Sequence, residues 1–335
     1  MKKHTPLVSI VTPSYNQAQY LESTIFSVLN QDYSNIEYII IDGGSTDGSR
    51  QIINKYASRL AYWVSEDDRG QADAINKGMA RAKGEILAWL NSDDIYLPDA
   101  VGQAVDVFNR YPEAGLIYGN AITIDQGGKL LNPLIFGDWG IKELLQFRII
   151  CQPAVFFRRS VWEKVGSLDL NYQYMLDHHL WLRMSSITSM VHVSKYWAAA
   201  RHHPAAKNVA HAEAFAEEIK ELLSWITETP GFKEQYLLDR RRIEGGGNRL
   251  IARYYLDGEL PGKALRYYFK ALYYWPAYAL KHWYKMLFAF SSLFGGAKLG
   301  KYYYRNIKRN YLQNFDLDLD GWYGIQGNSS LRTKD

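Results

Sequence analysis

Leu87–Ala88–Trp89–Leu90–Asn91–Ser92–Asp93–Asp94–Ile95 is the stretch whose reading decides the fold. It opens as an apolar run of strand length and ends in two adjacent carboxylates. A run this short and this apolar reads as a buried strand. Acids at its end are costly unless a cation or hydrogen-bond donors meet them. In open α/β sheets the carboxyl ends of the strands are where ligands sit. Asp93–Asp94 is therefore a candidate metal or ligand site. The plain alternative is an Asp-rich turn, with Pro98 and Asp99 opening the next helix.

Working outward from that strand, strands alternate with helices. Leu7 to Thr12 is strand-like and closed by Pro13. Gln17 to Asn30 has helical spacing, with Leu21, Ile25, Val28 and Leu29 on one face. Ile36 to Ile41 is a second buried strand and runs into Asp42–Gly43–Gly44–Ser45–Thr46–Asp47–Gly48–Ser49. A helix to about Ala57 follows, with Ser45 or Thr46 as its expected N-cap. Leu60 to Val64 is a third strand; Gly70 to Ala82 is helical, with Gly84 as the expected C-cap. Pro98 to Tyr111 is a helix, and Gly115 to Tyr118 a strand. This alternation predicts a parallel sheet covered on both faces. No G-x-G-x-x-G follows the first strand and no G-x-x-x-x-G-K-S/T occurs, which argues against a dehydrogenase and a P-loop NTPase.

After residue 119 the pattern changes. A hairpin is expected around Gly127–Gly128, strands at Gln152–Phe157 and Met190–Val193, and helices at Ser160–Val165 and Leu176–Met184. Such mixed structure after a parallel half reads as a second, substrate-facing portion of the same domain. From Ala210 onward the chain reads as helical.

Composition narrows the class. Of 335 residues, 47% are apolar and 22% charged, as in a globular protein. Aromatics reach 15%, with 26 Tyr and 10 Trp, which points to stacking, sugar-binding or membrane-facing surfaces. A single cysteine, Cys151, excludes an internal disulfide framework and fits a reducing compartment. No signal-peptide core and no transmembrane run are read. Residues 231–311 hold 16 Lys/Arg against 5 Asp/Glu, while the remainder is net acidic. A basic block on an acidic body suggests an anionic partner.

Four motifs in order then carry a resemblance: Thr12–Pro13–Ser14–Tyr15–Asn16; Asp42 to Ser49; Asp68–Arg69–Gly70–Gln71 with Asn76–Lys77–Gly78; and Asn91–Ser92–Asp93–Asp94. Gln152–Pro153–Ala154, Gly166 and Asp177–His178–His179–Leu180–Trp181–Leu182–Arg183 extend it over roughly the first 205 residues. The chain resembles the family 2 glycosyltransferases with the GT-A fold, an α/β, Rossmann-like sheet. The resemblance implies a nucleotide-diphosphate-sugar donor. Thr12, Pro13 and Tyr15 would meet the nucleobase, and Asp42 would accept from its ring N–H. Arg69 and Lys77 would contact the diphosphate; Gln71, Asn91 and Ser92 would line the donor site. Asp93, with Asp94 and His203 of Arg201–His202–His203, would hold Mn²⁺ or Mg²⁺. The first acid of the family's D-x-D motif is Asn91 here, which brings no charge. Asp177 would be the catalytic base of an inverting transfer; Asp169, His178 and His179 are the alternatives, and Asp177 could instead be an N-cap.

The C-terminal block adds one tetratricopeptide-like hairpin, Gly245 to Tyr278, with Ile251, Ala252, Tyr255, Ala264, Tyr268, Ala271 and Pro276 at the pattern positions. Apolar stripes at Leu265, Tyr268, Phe269 and Leu272, and at Leu280, Trp283, Tyr284, Leu287 and Phe288, run beside Arg266, Lys270, Lys281 and Lys285. They read either as core or as a surface on anionic lipid. The expected division is 1–118 for the donor half, 119–209 for the acceptor half, 210–312 for a helical extension and 313–335 for a loose polar tail. The expected activity is sugar transfer to a glycan or lipid-linked acceptor in bacterial surface polysaccharide assembly. The expected place is the cytoplasmic face of the membrane, with no nucleic acid as partner. The rivals are a nucleotidyltransferase, which would need a basic Gly-rich loop after the first strand, and a non-catalytic scaffold with a degenerate transferase domain.

Overall fold

A computed structural model of the chain describes residues 4–203 and 211–295. The expected polar tail and residues 296–311 of the basic block lie outside the described residues. The chain divides into two compact units. The first runs to Gly140 and resumes from Ile150 to His202; the second takes Ile141–Ile149 and continues from His203.

The first unit is built on nine strands: β1 Val8–Ser14, β2 Ile36–Asp42, β3 Tyr62–Ser65, β4 Ile86–Trp89, β5 Ile95–Tyr96, β6 Ala114–Ile124, β7 Leu130–Leu134, β8 Val155–Arg158 and β9 Ser189–Arg201. They form one sheet in the order β3-β2-β1-β4-β8-β6-β9-β5, with β7 on β6. β3, β2, β1 and β4 are mutually parallel, as the alternation predicts. The sheet is not parallel throughout: β8 runs antiparallel between β4 and β6. β6 carries a parallel β9, an antiparallel β7, and runs without a break across residues 118–119.

Around the sheet lie α1 Ala18–Leu29, α2 Ser49–Lys55, α3 Gln71–Arg81 and α4 Ala100–Arg110, then α6 Arg159–Val165 and α7 Leu176–Ser185; α5 Ile141–Leu145 belongs to the second unit. The α1 residues chosen by spacing, Leu21, Ile25 and Val28, are buried, together with Val8, Ile10, Ile40, Ile86 and Ala88 of the strands. Each of the larger of these side chains contributes about 1.5–3 kcal/mol by leaving water.

Local readings change at three points. β1 continues through Pro13 to Ser14, because a parallel ladder tolerates the missing N–H where the strand is ending. α2 is capped by Gly48 in the left-handed region, not by Ser45 or Thr46, because Ser45 is spent on Asp42. Gly84 is not a C-cap: the helix ends at Arg81 with Ala82 as its C-cap, and a Cβ on Gly84 would come 2.5 Å from the Ser9 nitrogen. Its role is close backbone approach.

The second unit is helical: α5, then α8 Ala212–Glu228, α9 Pro230–Asp257, α10 Pro261–Tyr274, α11 Pro276–Ala279 and α12 Trp283–Leu293. Proline stands in the first turn of α9, α10 and α11, where no N–H is missed. α9 and α10 form the hairpin read from the sequence, and Ile251, Ala252, Tyr255, Ala264, Tyr268 and Ala271 are its buried face. Non-helical angles at Asp239 kink α9.

Candidate active site

The site is assembled at the carboxyl ends of the parallel strands. The loops after β1 and β2 are bolted together. Asn16 N–H donates to Ser45 Oγ at 2.8 Å, Thr46 N–H to Asn16 Oδ1 at 2.9 Å and Ala18 N–H to Asp47 Oδ2 at 2.8 Å. Asn16 sits at φ 51°, a conformation asparagine tolerates. Asp42 is fully buried at the tip of β2. It accepts from Ser45 N–H at 2.9 Å, Ser45 Oγ at 2.6 Å and Ser65 Oγ at 2.6 Å. A carboxylate has about four acceptor positions, so about one is left. Beside it, Ser14 Oγ is buried without a partner. Thr12 is buried and shares a hydrogen bond with Tyr38 Oη at 3.0 Å, while Tyr15 is 63% exposed. Asp68 closes over this tip: a Cβ on Gly43 would come 2.5 Å from Asp68 Oδ2. Burial holds the Asp68 carboxyl above the usual range, with Asp73 and Asp42 adding to the effect.

After β4, Asn91 is the hub of an amide network. Its Oδ1 accepts from Gln71 Nε2 at 2.6 Å; its Nδ2 faces Asp94 Oδ2 and Gln152 Oε1, both at 3.2 Å. Gln152 in turn donates to Trp89 O at 2.8 Å. Asp94 is buried, and its other oxygen accepts from Arg201 N–H at 2.9 Å. Burial, then the neighbouring Asp93, push its carboxyl well above the usual range. Arg201 Nε donates to Asp93 O at 2.9 Å, and its Nη1 reaches the carbonyls of Asp125 and Gln126 in the β6–β7 turn. Asp93 is half-exposed and Ser92 buried. His203 is buried and belongs to the second unit. Arg69 and Lys77 are engaged along α3: Arg69 with Asp73 at 2.9 Å, Lys77 with Glu66 at 3.0 Å and Asp73 at 3.6 Å.

The later portion reaches the same strand ends. Asn76 of α3 exchanges two 2.9 Å hydrogen bonds with the backbone of Leu168. Arg183 holds the carbonyls of Val165 and Ser167. A Cβ on Gly70 would come 3.0 Å from Gln173 Oε1. α7 begins at Leu176 with Met175 as its N-cap, so Asp177 is not the cap. It lies in the first turn, half-buried, and accepts from His178 N–H at 2.7 Å. Cys151 lies between the two regions: burial raises its thiol pKa, and Asp94 and Asp177 both add to the shift. Asp177 and Asp94 thus act on one side chain. His178 and His179 are buried, and His179 packs on Tyr172 at 4.4 Å between ring centroids. Burial, with Arg183 next, lowers its pKa to about 3. A base so reluctant to take a proton is a weak candidate. Asp169 is taken up by a turn with Asn171.

Ser65, Asp68 and Gln152, and the position of Arg201 beneath the acid pair, carry no role in the sequence reading. For Asp68, Gln152 and Arg201 the early signal was their place within the quoted runs; Ser65 lies outside all of them.

Among the described residues no three His, Cys, Asp or Glu side chains gather as a ready-made metal shell. The donor set still fits a hard cation. Asp93 presents a half-exposed carboxylate beyond β4, and Mg²⁺-type sites rest on one or two carboxylates plus substrate phosphates and water.

The family described as glycosyl transferase family 2 matches residues 9–165. An uncharacterized glycosyltransferase of Rickettsia typhi is 30% identical over 205 residues, 57% of this chain and 63% of that protein, so this chain spans a little under two thirds of its length. One from Mycobacterium tuberculosis is 33% identical over 190 residues, 56% of this chain and 71% of its own. Chondroitin synthase of Escherichia coli is 29% identical over 197 residues, 58% of this chain but 28% of the synthase. Among solved structures, S. aureus TarS 1–349 in complex with UDP-GlcNAc superposes with a TM-score of 0.57 at 14% identity, over 94% of this chain and 95% of that one. Mannosyltransferase PcManGT from Pyrobaculum calidifontis, in complex with GDP-Man and Mn²⁺, gives 0.56 at 20% identity over 88% and 87%. At those identities the likeness shows the GT-A fold. Motifs, fold and relatives agree: the chain belongs to glycosyl transferase family 2.

Proposed function

We propose that the enzyme moves a sugar from a UDP-linked donor to a glycan or lipid-linked acceptor, with inversion, in assembly of a bacterial surface polysaccharide or glycoconjugate. The observation that carries this reading is that Asp42 and the Asn91–Asp94 turn stand at the carboxyl ends of neighbouring parallel strands, with Asp94 and Asp177 both acting on Cys151. The nucleotide complexes of TarS and PcManGT and the name of chondroitin synthase support the donor and product classes.

In this reading the remaining acceptor position of Asp42 takes the ring N–H of the nucleobase, and Tyr15 and Pro13 flank its ring. Asn91, Gln71 and Ser92 border the ribose. Arg69 and Lys77 exchange their carboxylate partners for the diphosphate. Asp93 is the residue for Mn²⁺ or Mg²⁺; Asp94, engaged by Arg201 and Asn91, supports the turn. When bound, the cation would offset charge on the leaving diphosphate. The acceptor oxygen forms its bond to the anomeric carbon as the carbon–oxygen bond to the diphosphate breaks. The diphosphate keeps the electron pair, and the acceptor proton passes to the Asp177 carboxylate. The basic C-terminal block would hold the enzyme on an anionic membrane at its cytoplasmic face.

Thermal-shift measurements against UDP-, GDP- and dTDP-sugars with Mn²⁺ test the reading. A UDP-sugar should raise the melting temperature, and EDTA should remove the effect. Absence of any shift across the panel would overturn it.

A further inference from the structure

We propose that one face of the helical unit, formed by the kink of α9 and the outer side of α10, is the surface that lies on an anionic phospholipid bilayer. This rests on the membrane reading above and assigns the contact to particular residues.

The inner stripe of α10 is already used. Ala264, Tyr268 and Ala271 are fully buried, so Tyr268 of the expected membrane stripe is core. The outer stripe is Arg266, Phe269, Lys270 and Tyr273, spaced i, i+3, i+4 and i+7 on one helical face. Phe269 is 62% and Tyr273 76% exposed. Beside it, α9 breaks at Asp239, and the residues before the break, Leu237 and Leu238, are 66% and 84% exposed. Arg240, Arg241 and Arg242 follow at once.

Two open grooves mark this face. One of about 600 Å³ lies between the kink and Tyr274–Ala277; one of about 430 Å³ lies between α9 and the outer stripe, and both are lined by Tyr274. Their linings carry five cations and two carboxylates. Both carboxylates are engaged within the unit: Asp239 accepts from Gln146 Nε2 at 2.8 Å, and Glu244 from Tyr236 Oη at 2.7 Å. Arg241, though exposed, donates to the carbonyls of Tyr273 and Tyr274 at 3.2 Å. Asp239 also pairs with Arg242 at 3.8 Å, and with five cations against two carboxylates the face keeps a net positive charge.

This mixture selects the occupant. A polyanion such as a nucleic acid would use the cations and leave the leucines in water. A stable protein interface tends to exclude lysine from its centre. The headgroup boundary of a bilayer accepts all three features: aliphatic tips, aromatic rings and snorkelling cations that meet lipid phosphates. No described helix is long and apolar enough to cross a membrane, so the contact is in-plane.

The test is flotation of the full chain with phosphatidylglycerol or pure phosphatidylcholine vesicles at low salt. Wild type should float with the former only. Leu237→Ser with Leu238→Ser, and Arg266→Glu with Lys270→Glu, should each weaken binding at least tenfold with unchanged melting curves. In a Cys151→Ser background, Tyr273→Cys carrying an environment-sensitive dye should shift to the blue on the anionic vesicles. This reads the face directly if a double variant misfolds. If wild type floats while the double variants float equally and the dye stays unshifted, the membrane reading stands and this face is excluded. If wild type does not float, both fall.

Discussion

Asn91 stands where a carboxylate would complete the D-x-D motif, and its surroundings fit an amide. Its Nδ2 donates toward Asp94 and Gln152. Asn91→Asp would remove those donors and set a third acid beside Asp93 and Asp94, whose carboxyl is already raised by burial and by Asp93. The expected result is a loss of about 1–3 kcal/mol without metal, with Mn²⁺ restoring the melting temperature; an unchanged metal-free melt would show that the amide is dispensable. Asp177→Asn tests the base. It should keep donor-induced stabilisation and lose transfer about a hundredfold or more, measured as UDP release with acceptor; near-normal turnover would remove Asp177 from the role. His179 sets an acid limb of stability. Its pKa falls from 6.5 to about 3 on folding. Below about pH 6.5 the unfolded imidazole takes up a proton that the folded one refuses. Protons therefore favour unfolding, and stability declines as pH drops toward 3, by up to about 1.4 kcal/mol per unit. His179→Phe, which keeps a ring against Tyr172, should flatten the urea-midpoint profile between pH 6 and 4.

At the scale of elements, the glycines of α9 show how a helix can be shaped for a neighbour. A Cβ on Gly246 would overlap the backbone carbonyl of Gln146, whereas one on Gly231 meets nothing within 4 Å. Gly246→Ala should therefore cost about 1–3 kcal/mol or more, since backbone must move. Gly231→Ala, in the first turn of the same helix, should be neutral or slightly stabilising. Urea unfolding of the pair separates packing from helix propensity, which alone would favour alanine at both. The sequence marks Gly245 only as the start of a tetratricopeptide-like hairpin, because spacing does not reveal the Gln146 backbone, a hundred residues upstream, that Gly246 meets. The same distinction governs the sheet. β1, β2 and β4 were legible because each is a short apolar run closed by chemistry-bearing residues. The antiparallel β8 between β4 and β6 was not, because nothing local in Val155–Arg158 encodes the direction of its neighbour. In the site, Asp42, Asn91 and Asp93 were legible as strand-end polar residues. Asp68 and Gln152 act through partners brought in by packing, which spacing does not reveal.

For the whole molecule, the instructive segment is Ile141–Ile149, which lies within the catalytic stretch of sequence but folds with the helical unit. Leu144, Leu145 and Phe147 are buried there. Gln146 Nε2 donates to Asp239 at 2.8 Å, and Arg249 donates to the Phe147 carbonyl at 3.2 Å. A chain cut after residue 202 would keep this segment and lose the helices it folds with. Two leucines and a phenylalanine would return to water at about 1.5–3 kcal/mol each, a large share of the 5–15 kcal/mol by which a domain is stable. The C-terminal helices are thus expected to be inseparable from the transferase by simple truncation, unlike an appended module. The 1–202 chain should bind a hydrophobic dye, aggregate and melt well below the full protein. Changing Leu144, Leu145 and Phe147 to Ser, Ser and Asn in that truncated chain should recover solubility, because there the apolar side chains have lost their packing. The same triple change in the full chain should instead be strongly destabilising. If the 1–202 chain melts with the full protein's transition and binds no dye, Ile141–Ile149 does not depend on the helices, and the two units can be taken apart at residue 202.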